Sequence, residues 1–202
     1  MALQEPSFAP LYARLCHMLD AKCPQFPNNT AGASDNQDEL TTITFKKALL
    51  DRCQKNFEER ETREDASGDE EDAEKERKKT ISNCIFIGEL FKAAVLPDIV
   101  MHLCVKSLLG EATSTATTRR NSPEDSEEER RRGKMMERID TDLEALCKLL
   151  STIGRVFDKA RDKQIEGYFT QIKKLSGDPT LPSRVRCRLL DVIDLRTKRW
   201  QQ

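Results

Sequence analysis

Few residues of this 202-residue chain are of a type that does chemistry on a substrate. Two histidines, His17 and His102, each lie in an apolar helical segment, where an imidazole is more often a packed side chain than a general base. No recognisable nucleophile or phosphate cradle accompanies them: the sequence has no G-x-S-x-G, G-x-x-x-x-G-K-[ST] or H-E-x-x-H. Seven cysteines, at positions 16, 23, 53, 84, 104, 147 and 187, mostly stand singly on apolar helical faces, without a C-x-x-C pair. That placement suits reduced thiols acting as small hydrophobes, the alternative being a disulfide or zinc framework. The expectation is a noncatalytic chain with no cofactor and no metal.

The remaining chemistry is that of charge. The whole chain sums to −1, yet residues 155 to 202 hold 12 Lys and Arg against 6 Asp and Glu. A local surplus of this kind can neutralise phosphates and make affinity fall with salt. Lys173, Lys174, Arg186, Arg196, Lys198 and Arg199 are the candidate RNA contacts, with Tyr168, Phe169 and Trp200 the nearby rings able to stack on bases. The alternative is a solvated helix face closed by pairs such as Asp194 and Lys198, four residues apart.

The elements that must position these charges read as helices. Apolar residues recur at helical spacing over 8–19 (Phe8, Leu11, Leu15, Met18, Leu19), 44–57, 81–95, 97–110 (Ile99, Val100, Leu103, Cys104, Leu108), 141–157 and 162–175. A last helix begins near Ser183, a suitable N-cap. Pro97 fits a first turn, and Gly110 and Gly177 read as stops. Residues 58–79 and 111–134 are charged or low-complexity and are expected to be disordered insertions, with frayed helical extension as the alternative. Residues 28–39 are a third loop, rich in turn formers.

With 37% hydrophobic and 34% charged residues, helices this short must pack on neighbours. Paired helices recurring about every 40 residues match a HEAT-type array. The expected fold is an all-α solenoid of antiparallel helix pairs, with a compact bundle as the competing arrangement. No run approaches the roughly 20 apolar residues of a membrane span, and the first residues lack a secretory pattern.

Four blocks carry a resemblance: "TFKKALLDRCQKNFEE" (44–59), "FIGELFKAAVLPDIVMHLCVKSLL" (86–109), "LEALCKLLSTIG" (143–154) and "SRVRCRLLDVIDLRTKRW" (183–200). In spacing and order they resemble the middle domain of eukaryotic translation initiation factor 4G. The resemblance covers roughly residues 40–202, with a weaker match at "EPSFAPLYARLCHML". Members of that family carry a further helical repeat upstream of "EPSFAPLY", so the chain is expected to be a partial middle domain. Two local departures are Ile85, where the family tends to be basic, and the insertion at 111–138.

The resemblance implies a cytoplasmic scaffold of translation initiation that binds the DEAD-box helicase initiation factor 4A, mRNA and other initiation factors. Candidate helicase contacts are Glu89 and Lys92, opposite the apolar stripe of their helix, and Arg184, Arg188 and Asp191, which share one stripe of the last helix. Such charges give orientation and on-rate more than affinity. The family's cap-protein peptide, Y-x-x-x-x-L-Φ, is matched at neither Tyr12 nor Tyr168, so no direct contact with a cap-binding protein is expected. Ser122 and Ser126 are candidate phosphorylation sites whose added charge would weaken RNA contact. A related middle domain acting in mRNA decay, splicing or translational repression is the alternative.

Overall fold

The helix-forming segments fold into seven α-helices among the described residues of a computed structural model, namely 5–24, 26–27, 42–62, 70–118, 126–160 and 163–201. They are α1 (Ala9–Asp20), α2 (Phe45–Thr62), α3 (Glu70–Lys92), α4 (Asp98–Thr118), α5 (Ser126–Phe157), α6 (Lys163–Ser176) and α7 (Ser183–Thr197). Short 3-10 turns, Pro6–Phe8 and Asp158–Ala160, lead into α1 and follow α5. A two-residue antiparallel ladder pairs β1 (Phe26–Pro27) with β2 (Thr42–Ile43). No helix among the described residues is long and apolar enough to cross a membrane.

The odd-numbered helices form one layer, in which α1 packs on α3, α3 on α5 and α5 on α7. In the other layer α2 backs α3, α4 backs α5 and α6 backs α7, with α4 also touching α6. Side-chain pairs fix the directions. Arg77 meets Asp140 and Glu144 at one end of α3 and α5, while Gly88 lies 3.1 Å from Ile153 and Thr152, measured from an ideal Cβ, further along. Arg184 and Arg188 meet Asp140 and Glu144, and Trp200 sits over Gly154. Both neighbours therefore run parallel to α5. This is the solenoid of helix pairs expected from the repeat spacing.

The core follows the expected faces along α5 to α7: Leu143, Leu146, Leu150 and Ile153, then Ile165, Phe169 and Ile172, then Val185, Leu189 and Val192 are buried. Two faces differ. On α1 the buried residues are Ala9 and Ala13, whereas Leu11 is 61% and Leu15 49% exposed, with Phe8 and Met18 beside them. The small side chains let α1 approach the bundle closely, and the large apolar stripe points away. On α4, Cys104 and Leu108 are buried as expected, but Met101, Val105 and Leu109 are buried with them while Ile99 and Leu103 face outward. Periodicity located an apolar stripe in each case, but α4 is apolar on several sides and packing chose among them.

Helix also claims both margins of the stretches expected to be unfolded. α2 reaches Thr62, α3 starts at Glu70, α4 continues past Gly110 to Thr118, and α5 starts at Ser126 and passes through Gly133. Glu, Lys and Arg are good helix formers, and pairs such as Lys75 with Glu71 and Lys78 with Glu74 support the new turns of α3. Arg77 then anchors them to α5. The expected loop at 28–39 and Ser122 lie outside the described residues. Ser183 is the first helical residue rather than the cap: Pro182 precedes it, and its carbonyl accepts from the Val185 and Arg186 amides.

The break in "FKAAVLPD" is a Schellman turn. Ala94 adopts φ 58°, its amide donates to the Phe91 carbonyl, and the Val95 amide donates to that of Leu90 at 3.0 Å. Asp98 then sits in the first turn of α4, where the helix dipole favours an acid.

Candidate interaction surface

Among the described residues no group of three or more His, Cys, Asp and Glu side chains could hold a metal ion. His102 is half-buried, its ring 4.9 Å from that of Phe157 and its Nδ1 3.2 Å from the Tyr168 hydroxyl, so it ties α4 to α5 and α6. His17 is exposed on α1 rather than packed. Burial pushes the Cys53 and Cys147 thiols up to about 12, a range in which neither is a thiolate at neutral pH. The candidate site residues gather instead on charged surfaces.

The first of these is the seam between α3, α5 and α7. Asp140 and Glu144, four residues apart on α5, stand between Arg77 of α3 and the pair Arg184 and Arg188 of α7. Asp140 Oδ2 accepts from Arg77 at 3.4 Å and from Arg184. Glu144 bonds Arg77 through Oε2 and faces Arg188 through Oε1. The Glu144 side chain is only 10% exposed, against 53% for Arg184. The two arginines expected to stand free on the last helix are thus held in an inter-helix ladder, with Arg184 at its open edge. Asp191 is exposed one turn on, close enough to Cys147 to help raise its pKa, after burial as the main cause.

The second is the C-terminal end of the same layer. Arg196 Nη2 lies 2.8 Å from Asp158 Oδ1, its guanidinium also bonds Glu166, and its Cζ sits 4.2 Å from the centre of the Phe169 ring. Burial alone would lower the Arg196 pKa, but the hydrogen bonds and charges of Glu166 and Asp158 outweigh it and raise the pKa further. Trp200 Nε1 donates to Asp158 Oδ2 at 3.2 Å, and its ring covers Gly154, where any Cβ would overlap it. Arg199 and Trp200 take φ 54° and 61°, and the Trp200 amide donates to the Leu195 carbonyl at 2.7 Å, closing the helix. Arg196 and Trp200 are therefore committed to holding α5, α6 and α7 together and are not free for phosphate or base.

The other candidates fall in three places. Glu89 Oε1 accepts from Lys92 Nζ at 2.9 Å, so these two pair with each other at the end of α3, and Ile85 on the same stripe packs against the core. Lys173 is exposed and lines a shallow groove of about 230 Å³ between α6 and α7, with Phe169, Ile193 and Arg196 at its floor and side. Lys174 is exposed, and Arg186 is half-buried with its Nε unpaired among the described residues. Lys198 and Arg199 are exposed in the final turn, and Lys198 makes no ion pair with Asp194 in the described structure. Ser126 opens α5.

Sequence reasoning missed Arg77, Asp140, Glu144 and Asp158. A usable signal was present: Asp140 and Glu144 share the four-residue spacing of Arg184 and Arg188, as expected of two parallel helices that pair along one edge.

The chain that folds in this way matches a known family. Residues 1–199 match the MIF4G domain. The chain is 37% identical to eukaryotic translation initiation factor 4G of rice (Oryza sativa subsp. japonica) over 217 residues, covering 100% of this chain and 10% of that protein. It is 35% identical to the same factor of Arabidopsis thaliana, covering 100% of this chain and 11% of the relative. Against mouse eukaryotic translation initiation factor 4 gamma 1 it is 33% identical, covering 98% of this chain and 12% of the relative. The chain thus spans about a tenth of the length of the curated relatives it matches, and it belongs to the MIF4G domain family as an all-helical member.

Proposed function

We propose that this chain is a noncatalytic adaptor of translation initiation in the cytoplasm, which binds the DEAD-box helicase initiation factor 4A together with mRNA and other initiation factors. The observation that carries the reading is similarity, over all or nearly all of this chain and about a tenth of each relative, to proteins named eukaryotic translation initiation factor 4G and 4 gamma 1, on a fold whose helices are braced to one another. A DEAD-box helicase has two mobile lobes. A stiff solenoid touching both holds them near the productive arrangement, which lowers the entropic cost of closure and raises ATPase turnover without adding a catalytic group.

The helicase-facing residues are Glu89, Lys92, Arg184, Arg188 and Asp191, all on the α3 to α7 layer. Because Arg184 and Arg188 also brace α5, they act in contact mainly through the open edge of Arg184, with Asp191 beside it. RNA binding rests on the uncommitted cations Lys173, Lys174, Arg186, Lys198 and Arg199, and phosphorylation of Ser122 or Ser126 would oppose it.

The test is a pull-down of purified initiation factor 4A by the chain, with and without ATP and RNA, together with the helicase ATPase rate. The expected result is capture and a faster rate; no capture and an unchanged rate overturn the helicase reading. Asp191→Lys is expected to weaken capture while leaving the melting temperature unchanged.

A further inference from the structure

Three helix ends of the odd-numbered layer are locked side by side. The Phe91 ring of α3 meets Phe157 of α5 edge-on at 6.3 Å. Trp200 at the end of α7 covers Gly154 of α5 and bonds Asp158. Arg196 fastens the start of α6 to the same place through Glu166. Around these ends stand Arg155, Lys159, Lys163, Lys198 and Arg199, all exposed. Of the acids at this edge, Asp158 and Glu166 are engaged with Arg196 and Glu89 with Lys92, while Asp194, one turn before Lys198, is exposed and offsets one charge of the surplus.

Cations at helix C-termini also complement the helix dipole. Three C-termini carry only about half a negative charge each, fewer than the five uncommitted cations present. The surplus is fixed in position, because every element that carries it is tied to its neighbours.

We infer that this rim binds the phosphate backbone of single-stranded RNA, with Arg155, Lys159 and Lys163 as contacts alongside Lys198 and Arg199. This rests on the RNA-binding part of the proposed function and assigns it a surface. An acidic protein partner fits less well: protein interfaces centre on buried aromatic or aliphatic anchors, and the rings at this edge, Phe157, Phe169 and Trp200, are turned into intramolecular packing. Among the described residues this edge shows no exposed ring, and Val156 is the exposed aliphatic side chain beside Arg155; dispersed cations of this kind suit repeated phosphates, and they hold RNA without reading its sequence. The groove by Lys173, between α6 and α7, borders this edge at Glu166 and Arg196, whose charges already neutralise each other.

The test is fluorescence anisotropy of a labelled poly(U) strand of about 20 nucleotides with the full chain, between about 50 and 300 mM KCl. The variant Arg155→Gln/Lys159→Gln/Lys198→Gln/Arg199→Gln is expected to bind roughly tenfold more weakly, with a log–log salt slope flatter by about 2 to 3 at about 0.7 per lost contact. Lys173→Gln/Lys174→Gln/Arg186→Gln, which removes the proposed contacts outside the rim, is expected to bind no more than about threefold more weakly than the parent. If the rim variant melts at a lower temperature, Lys159→Gln/Lys163→Gln is read instead, with about half that change in slope.

Parental binding by the rim variants, or a larger loss in Lys173→Gln/Lys174→Gln/Arg186→Gln than in the rim variant, overturns the rim and leaves RNA binding standing. A parent that binds no RNA at the lowest salt overturns the RNA reading itself. A labelled poly-glutamate peptide that binds the rim as tightly as RNA overturns RNA as its occupant.

Discussion

Arg184 and Arg188 at one end of α7 and Lys198 and Arg199 at the other are the same kind of residue on the same helix, yet they do different work. The first pair faces Asp140 and Glu144 across a helix seam, and the second projects, exposed, from a closed helix end where Asp158 and Glu166 are taken up by Arg196. Polar character along a helix therefore does not separate a surface from a seam. What separates them is whether the neighbouring helix offers opposite charge at the same spacing.

The comparison breaks most visibly at Glu144. Removing one partner of a largely buried ion cluster leaves the others unpaired, at a typical cost of about 3 to 5 kcal/mol. Glu144→Ala is therefore expected to lower stability by about 3 kcal/mol, measured by urea denaturation, and to bring Arg77 and its turn of α3 into fast hydrogen exchange. A cost below about 1 kcal/mol would make the seam an ordinary surface.

Cys147, one turn beyond Glu144, gives a pH test of the same seam. Its folded pKa is raised to about 12, so the fold keeps the thiol neutral while the unfolded chain ionises above its ordinary value. The stability this contributes is fully present below about pH 8.5 and is lost as pH rises toward 12. Between pH 9 and 11 the parent is expected to lose about 2 to 3 kcal/mol relative to Cys147→Ala, at about 1.4 kcal/mol per unit. Parallel pH profiles for the two proteins would place Cys147 in contact with solvent.

At the rim, Gly154→Ala puts a methyl group into the Trp200 ring. The expected cost is about 2 kcal/mol, with a red shift of Trp200 fluorescence as the ring leaves its site; an unshifted spectrum would mean that Trp200 does not seal this end. The smallest effect belongs to the exposed cations. Lys159→Gln/Lys163→Gln is expected to change stability by less than about 0.5 kcal/mol, and a larger loss would turn the rim into a second seam.

Much of the fold was legible. Leu143, Leu146, Leu150 and Ile153 repeat at helical spacing and are all buried, although α5 is buried on most of its other sides as well, because α3, α4 and α7 all pack on it. The site was legible in its charge surplus and not in its partition. Arg196 and Trp200 read as candidates for RNA because a salt bridge, a cation over a ring and a tryptophan over a glycine all join residues 27 to 46 positions apart. The α1 stripe misled for a related reason: two alanines packed where the leucines were expected, since close approach favours the smaller side chain.

The sequence by itself determined that the chain is helical, that its helices come in pairs and that its last quarter is basic, because spacing and composition are local properties. The tertiary structure alone decided that α3 and α5 run far into their charged flanks, that Arg184, Arg188 and Arg196 brace the solenoid, and that Arg155, Lys159, Lys163, Lys198 and Arg199 gather on one edge. A charged side chain becomes strut or contact according to which neighbour the packing supplies, and that neighbour lies on another helix.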